Sequence, residues 1–127
     1  YSEEIGLGSR VHFVGHVSDI ELSVLYRNAT AMVMPTFSGP TNIPPLDANQ
    51  YGCPVAVSNN YGMPEQLGDA AIYFDPLSVD DIANAVVMLW NDKSLRGALC
   101  SAGYVRSSDW TASDFARSLS AILGRLC

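Results

Sequence analysis

The stretch of the sequence best suited to chemistry is residues 36–45, TFSGPTNIPP. It is dense in turn formers and leads into a helix pattern, its prolines placed where a first helical turn needs no amide hydrogen. A strand-to-helix bend of this kind gathers unpaired amides at the positive end of a helix dipole, which favours an anion, phosphate above all. The bend runs through Gly39, Pro40, Thr41 and Asn42. Gly39 lets a ligand approach the backbone closely, and Thr41 and Asn42 can donate to oxygens. The same residues would also serve an ordinary tight connection, and spacing alone leaves both readings open. Asp47 falls in the first turn of the helix that follows. An acid there either gains from the dipole or accepts hydrogen bonds from a diol such as a ribose.

Two histidines, His12 and His16, flank the end of the strand pattern at residues 11–14. His12 sits inside a strand pattern and reads as structural, whereas His16 stands where a ligand could touch it. Glu65, just after Gly62, Met63 and Pro64, is either a solvated acid or a group brought to the same edge. No Ser–His–Asp order and no metal-ligand spacing is present. The three cysteines, Cys53, Cys100 and Cys127, form no CxxC pair, so neither a disulfide framework nor a zinc site is supported. They are expected to be reduced thiols of a cytosolic protein.

The elements that must position these residues alternate short apolar runs with helix patterns, which predicts an α/β domain with a parallel, Rossmann-like sheet. Residues 11–14, 31–34, 54–57 and 71–74 are the expected strands, about four in all. Ser18 and Glu21 open a first helix as a capping box, with Leu22, Leu25 and Tyr26 on its apolar face. A helix near residues 45–51 closes at Gly52, and a short one near 64–67 stops at Gly68. Ser78 with Asp81 and Thr111 with Asp114 start two later helices, with another around 94–106 between them. The apolar stripes of the two end helices, Ile82, Ala85, Val86 and Leu89 in one and Phe115, Leu119, Ile122 and Leu126 in the other, are expected to be core faces. Ligands of parallel sheets bind beyond the carboxyl ends of the strands. Residues 15–18, 36–44 and 58–63 are the loops at that edge.

Composition limits the function classes. At 127 residues, 48% apolar and 16% charged, the chain suits one packed domain. Its net charge is −6, with thirteen acidic and seven basic side chains, and Lys93 is the single lysine. A general nucleic-acid-binding face needs clustered Lys and Arg, so nucleic acid is not an expected partner, and adhesion to anionic membranes is disfavoured. No apolar run approaches a membrane span, and residues 1–10 do not read as a signal peptide.

The motifs together resemble one family. VHFVGHVSD at 11–19, LYRNA at 25–29, PTFSGPTNIPPLDANQYGCP at 35–54, GMPEQLGD at 62–69 and Asp75 with Pro76 look like the donor-binding C-terminal domain of family 4 glycosyltransferases, which have the GT-B fold and retain anomeric configuration. The resemblance covers nearly the whole chain, and 35–54 is its most specific part. It implies a nucleoside-diphosphate sugar as substrate, with no metal and no separate cofactor. Family members commonly carry two glutamates eight positions apart across this loop. Asp47 stands at the second, which binds ribose hydroxyls, and Gly39 replaces the first, which contacts the donor sugar or phosphates. A loop like GPTNIPPLE occurs in bacterial members linked to surface polysaccharides. By resemblance the amides of Thr41, Asn42 and Ile43 face the diphosphate, and Val17 and its neighbours line the base pocket.

Set against the family pattern, the chain matches the later part of the donor domain. Two earlier βα units, their diphosphate-gripping Arg and Lys, and the N-terminal acceptor-binding domain would lie elsewhere in the full protein. This implies a fragment inactive alone, acting in the cytoplasm or at the inner face of the membrane through that other domain. In a sheet of order 3-2-1-4-5-6 the strand at 11–14 would then lack both neighbours. It is expected to close on residues 31–34 or to pair with another chain, so self-association through an exposed strand edge is a predicted property. Two rivals remain: a GT-B module that does not turn over, favoured by Gly39 and the missing cations, and a sugar-nucleotide epimerase of similar fold.

Overall fold

A computed structural model of the chain describes residues 1–39, 42–108 and 111–125. The fold is α/β, a three-stranded parallel sheet between two helical layers. The strands are β1 (Met32–Met34), β2 (Val55–Ser58) and β3 (Ala71–Phe74), in that spatial order. Met32 pairs with Val55, and Val55 with Ala71. The helices are α1 (Asp19–Asn28), α2 (Ile43–Gln50), α3 (Met63–Leu67), α4 (Val79–Asn91), α5 (Lys93–Ser108) and α6 (Ala112–Leu123).

The central strand shows why the sheet forms. A parallel strand covered on both faces reads as a continuous apolar run, and Val55, Ala56 and Val57 are all fully buried. Alternate side chains point to opposite faces. Val55 and Val57 join Ala48, Cys53, Met63 and Leu67 in one core, on the side of α2 and α3. Ala56 joins Phe74, Ala85, Leu89 and Leu99 in the other, on the side of α4 and α5. The sequence signals at the helix starts hold. Ser18 and Glu21 form a reciprocal capping box on α1, and Thr111 and Asp114 form one on α6. The Ser78 side chain accepts from the Asp81 amide at 3.1 Å at the head of α4.

Three expectations are corrected. Residues 11–14 are not a strand, so the sheet has three strands and not about four. Phe13 is 90% exposed, and Val11 and Val14 are also exposed. A strand exists by pairing, and among the described residues β1 bonds only to β2, so this run has strand propensity but no partner and does not close on β1. The stripe of α6 is not a core face either: Phe115, Leu119 and Ile122 all lie in solvent, and α6 has no buried residue. In α4 the stripe is covered only in part, with Ala85 and Leu89 buried and Val86 exposed. Leu126 and Cys127 lie outside the described residues.

Candidate functional site

The site grows from the carboxyl end of β1. Pro35 ends the strand, and the chain turns at once. The Thr36 hydroxyl donates to the Ser38 carbonyl at 2.6 Å, and the Asn60 side-chain amide donates to the Thr36 carbonyl at 2.9 Å. Behind them the Ser58 hydroxyl donates to the Met34 carbonyl at 3.5 Å. Two of the three loops expected at the ligand edge, 36–44 and 58–63, are therefore stitched together. The third is not joined to them among the described residues. His16 is exposed, Val17 is half-buried, and neither hydrogen-bonds to the other two loops. His12 is also exposed, which replaces the structural role expected of it.

Gly39 sits at φ 122°, a conformation that essentially only glycine adopts without strain. A Cβ placed on it would lie 3.2 Å from Asn42 Oδ1. Pro40 and Thr41, both candidate contacts, lie outside the described residues.

Asn42 is the residue before α2, and it is held on every side. Its amide donates to Gln66 Oε1 at 3.1 Å, and Gln66 Nε2 returns a bond to the Asn42 carbonyl at 2.7 Å. The Asn42 side chain donates to Met63 Sδ at 3.2 Å. The expectation that this amide is free for a diphosphate is thus corrected: a glutamine side chain from α3 already occupies it. Pro44 and Pro45, inside the first turn of α2, have no N–H to offer. Ile43 retains an amide without a partner among the described residues, and its side chain is largely exposed.

Asp47 is two residues further into the helix than expected. Because α2 begins at Ile43, its first turn contains no acid, and the dipole effect fades beyond that turn. The purely helix-stabilising reading of Asp47 is thereby removed. Asp47 as a whole residue is half-buried, and its carboxylate accepts no hydrogen bond among the described residues. It lies near Tyr26 of α1, whose phenol is pushed up by burial first and by the Asp47 charge second. Tyr26 stacks on Tyr51 with ring centroids 6.3 Å apart, and the Arg27 guanidinium lies 5.2 Å from the Tyr51 ring centre. This aromatic pair fixes α1 against the end of α2.

Several residues that bear on the site were not singled out from sequence. Gln66 is one, since its partner lies 24 positions away and nothing local marks it. Arg106 of α5 is another: its Nε donates to the Gln66 carbonyl at 2.9 Å, and its terminal nitrogen donates to the Glu65 carbonyl. Glu65 itself is exposed. Asn49 of α2 is fully buried with both side-chain polar atoms unpartnered, pressed against Gly103 of α5. Cys53, also fully buried, has its thiol pushed up to about 11 by burial, and Cys100 donates from Sγ to the Gly52 carbonyl at 3.0 Å. Among the described residues, no three His, Cys, Asp or Glu side chains gather where a metal ion could sit.

The family model of the glycosyl transferases group 1 matches residues 1–106. The chain belongs to that family. It is 32% identical over 101 residues to the O-antigen chain mannosyltransferase B of Escherichia coli, covering 80% of this chain and 26% of that protein. It is 36% identical over 73 residues to the O-antigen chain mannosyltransferase RfbU of Salmonella typhimurium, covering 58% of this chain and 21% of that one. The chain thus spans about a quarter of the length of these relatives. Among solved structures, a sucrose-phosphate synthase from Thermosynechococcus elongatus superposes with a TM-score of 0.85 at 24% identity, over 98% of this chain and 32% of that one. This likeness carries the fold: the three-stranded parallel sheet with its helices is part of a GT-B, Rossmann-like domain. No helix among the described residues is long and apolar enough to cross a membrane.

Proposed function

We propose that this group 1 glycosyl transferase chain is the donor-binding part of a retaining family 4 enzyme. It would transfer a sugar from a nucleoside diphosphate to an acceptor hydroxyl during surface polysaccharide assembly on the cytoplasmic side. The observation that carries the reading is the pinned bend from β1 into α2, with Asp47 unpaired one turn beyond it. Family membership supports the reaction class, and two O-antigen mannosyltransferases among the relatives support mannose as the sugar.

In that reaction the bond between the sugar's anomeric carbon and the diphosphate oxygen breaks. The acceptor oxygen bonds to the same carbon, and its proton passes to the departing diphosphate. Negative charge grows on the leaving group, and a fixed dipole aimed there lowers the barrier. The start of α2 and the Ile43 amide would supply that field, while Asp47 would accept from ribose hydroxyls. The acceptor domain and the diphosphate-gripping cations would come from the remainder of the full-length protein.

Calorimetric titration of the full-length protein with GDP-, UDP- and ADP-sugars tests this. Binding of one donor that weakens tenfold or more in Asp47→Ala supports it. A second reading, a non-catalytic module whose bend binds an anion weakly or not at all, is favoured by Gly39 in place of an acid and by the Asn42 amide already being occupied. No heat with any of the three nucleotides would leave that second reading standing.

A further inference from the structure

We propose that Gln66 is a positioning residue for donor binding: its side-chain amide clamps the backbone of Asn42 and so fixes where the chain enters α2. The inference rests on the donor-binding reading above. The clamp has the form of one rung of a sheet ladder, made by a side chain. Gln66 Oε1 accepts from the Asn42 amide at 3.1 Å, and Gln66 Nε2 donates to the Asn42 carbonyl at 2.7 Å. A primary amide supplies both halves from one side chain, where an ionised carboxylate of the same length only accepts. The two bonds are partly buried, which raises the cost of losing them.

Asn42 passes the constraint on in both directions. Toward the bend, its side chain sits against Gly39, whose Cβ position is 3.2 Å from Asn42 Oδ1. Toward the helix, it is the N-cap of α2 and therefore sets the start of the element that carries Ile43 and Asp47. Its own side chain makes no capping bond, being directed to Met63 Sδ instead. The clamp replaces that missing cap as the means of holding the helix start. Gln66 is held in turn from behind, where Arg106 donates to the carbonyls of Glu65 and Gln66. The arrangement is a relay of three elements, α5 to α3 to the head of α2. A residue that fixes the bend without touching the donor should change how well the donor is bound and leave the acceptor's binding alone.

The test uses the full-length protein with Gln66→Met, which keeps the bulk and loses both bonds, and Gln66→Glu, which sets a carboxylate oxygen against the Asn42 carbonyl. The expected result is a donor KM raised about tenfold in both, with acceptor KM within twofold of wild type and the melting temperature lowered by a few degrees for the two lost bonds. Hydrogen exchange at the Asn42 amide should be slow in wild type and at least tenfold faster in Gln66→Met. A donor KM unchanged in Gln66→Met, or equal losses in donor and acceptor KM, overturns the positioning role. Wild-type protein that binds no nucleotide sugar overturns the donor reading instead. In that case the exchange arm still decides whether the clamp orders the bend. Should Gln66→Met fail to fold, Gln66→Glu is read by the same measurements.

Discussion

Gly39 shows what a single position can decide. At φ 122° any side chain is strained, and a Cβ also approaches Asn42 Oδ1. Placing there the glutamate that the family resemblance implies, as Gly39→Glu, is expected to cost about 1–3 kcal/mol of local strain or to force the bend into another shape. Urea denaturation would show the first and a fall in donor affinity the second, whereas a gain in affinity with unchanged stability would contradict the conformational argument. Cys53 gives a prediction of another kind. Its thiol is raised from 9.0 to about 11 because burial penalises the thiolate. A raised folded value means that its contribution to stability is complete below pH 9 and is lost as pH rises toward 11. Denaturation midpoints should therefore fall across that window, and Cys53→Ala should flatten the fall. Alkylation at pH 7 should spare Cys53 in the folded protein.

The position of Asp47 in the sequence was legible, but its setting was not. A one-dimensional pattern placed the helix start at the second proline, while the folded chain starts two residues earlier and moves the acid out of the first turn. The bond between Asn42 and Gln66 could not be read at all, because it joins residues brought together only by the sheet.

Among the elements, the caps follow local chemistry and were readable for that reason. Ser18 with Glu21 and Thr111 with Asp114 are contacts three residues apart. Each carboxyl is held below its ordinary range chiefly by hydrogen bonds from its capping residue, from the Ser18 backbone for Glu21 and the Thr111 hydroxyl for Asp114. Groups with lowered folded values stabilise above their unfolded values of 4.5 and 3.8, and that support is lost as pH falls through the lower folded values. Fraying at the heads of α1 and α6 should thus begin only in acid, as seen by amide exchange. Ser18→Ala and Thr111→Ala should bring it on at neutral pH, at about 1 kcal/mol each. The crossing of α2 and α5 is a tertiary matter. A Cβ on Gly103 would come within 2.7 Å of the buried Asn49 side chain. Gly103→Ala is expected to cost about 1–3 kcal/mol as overpacking. Adding Asn49→Ala should recover part of that loss, and purely additive costs would show that the two helices do not meet as described.

For the whole molecule, the parallel α/β architecture followed from the alternation of apolar runs and helix patterns, and three of the four runs have a neighbour in the sheet. Residues 11–14 and α6 mislead for one reason: a pattern records which face is apolar but does not say what covers it. Phe13 at 90% exposure and the side of β1 that pairs with no strand among the described residues are two features of one chain. Association of the 127-residue chain is therefore expected to grow with concentration in light scattering and to be reduced by Phe13→Lys. A strictly monomeric solution at high concentration would remove the strand-edge argument. Helix α5 has a wider reach. It packs on α2, and through Arg106 it grips the end of α3. Occupying the bend would therefore lower the free energy of a unit that includes α5, since a ligand stabilises whatever must be intact for it to bind. Amides around Leu99 and Gly103 should then exchange more slowly when donor is present, so that a helix with no expected contact to the sugar nucleotide would still record its arrival.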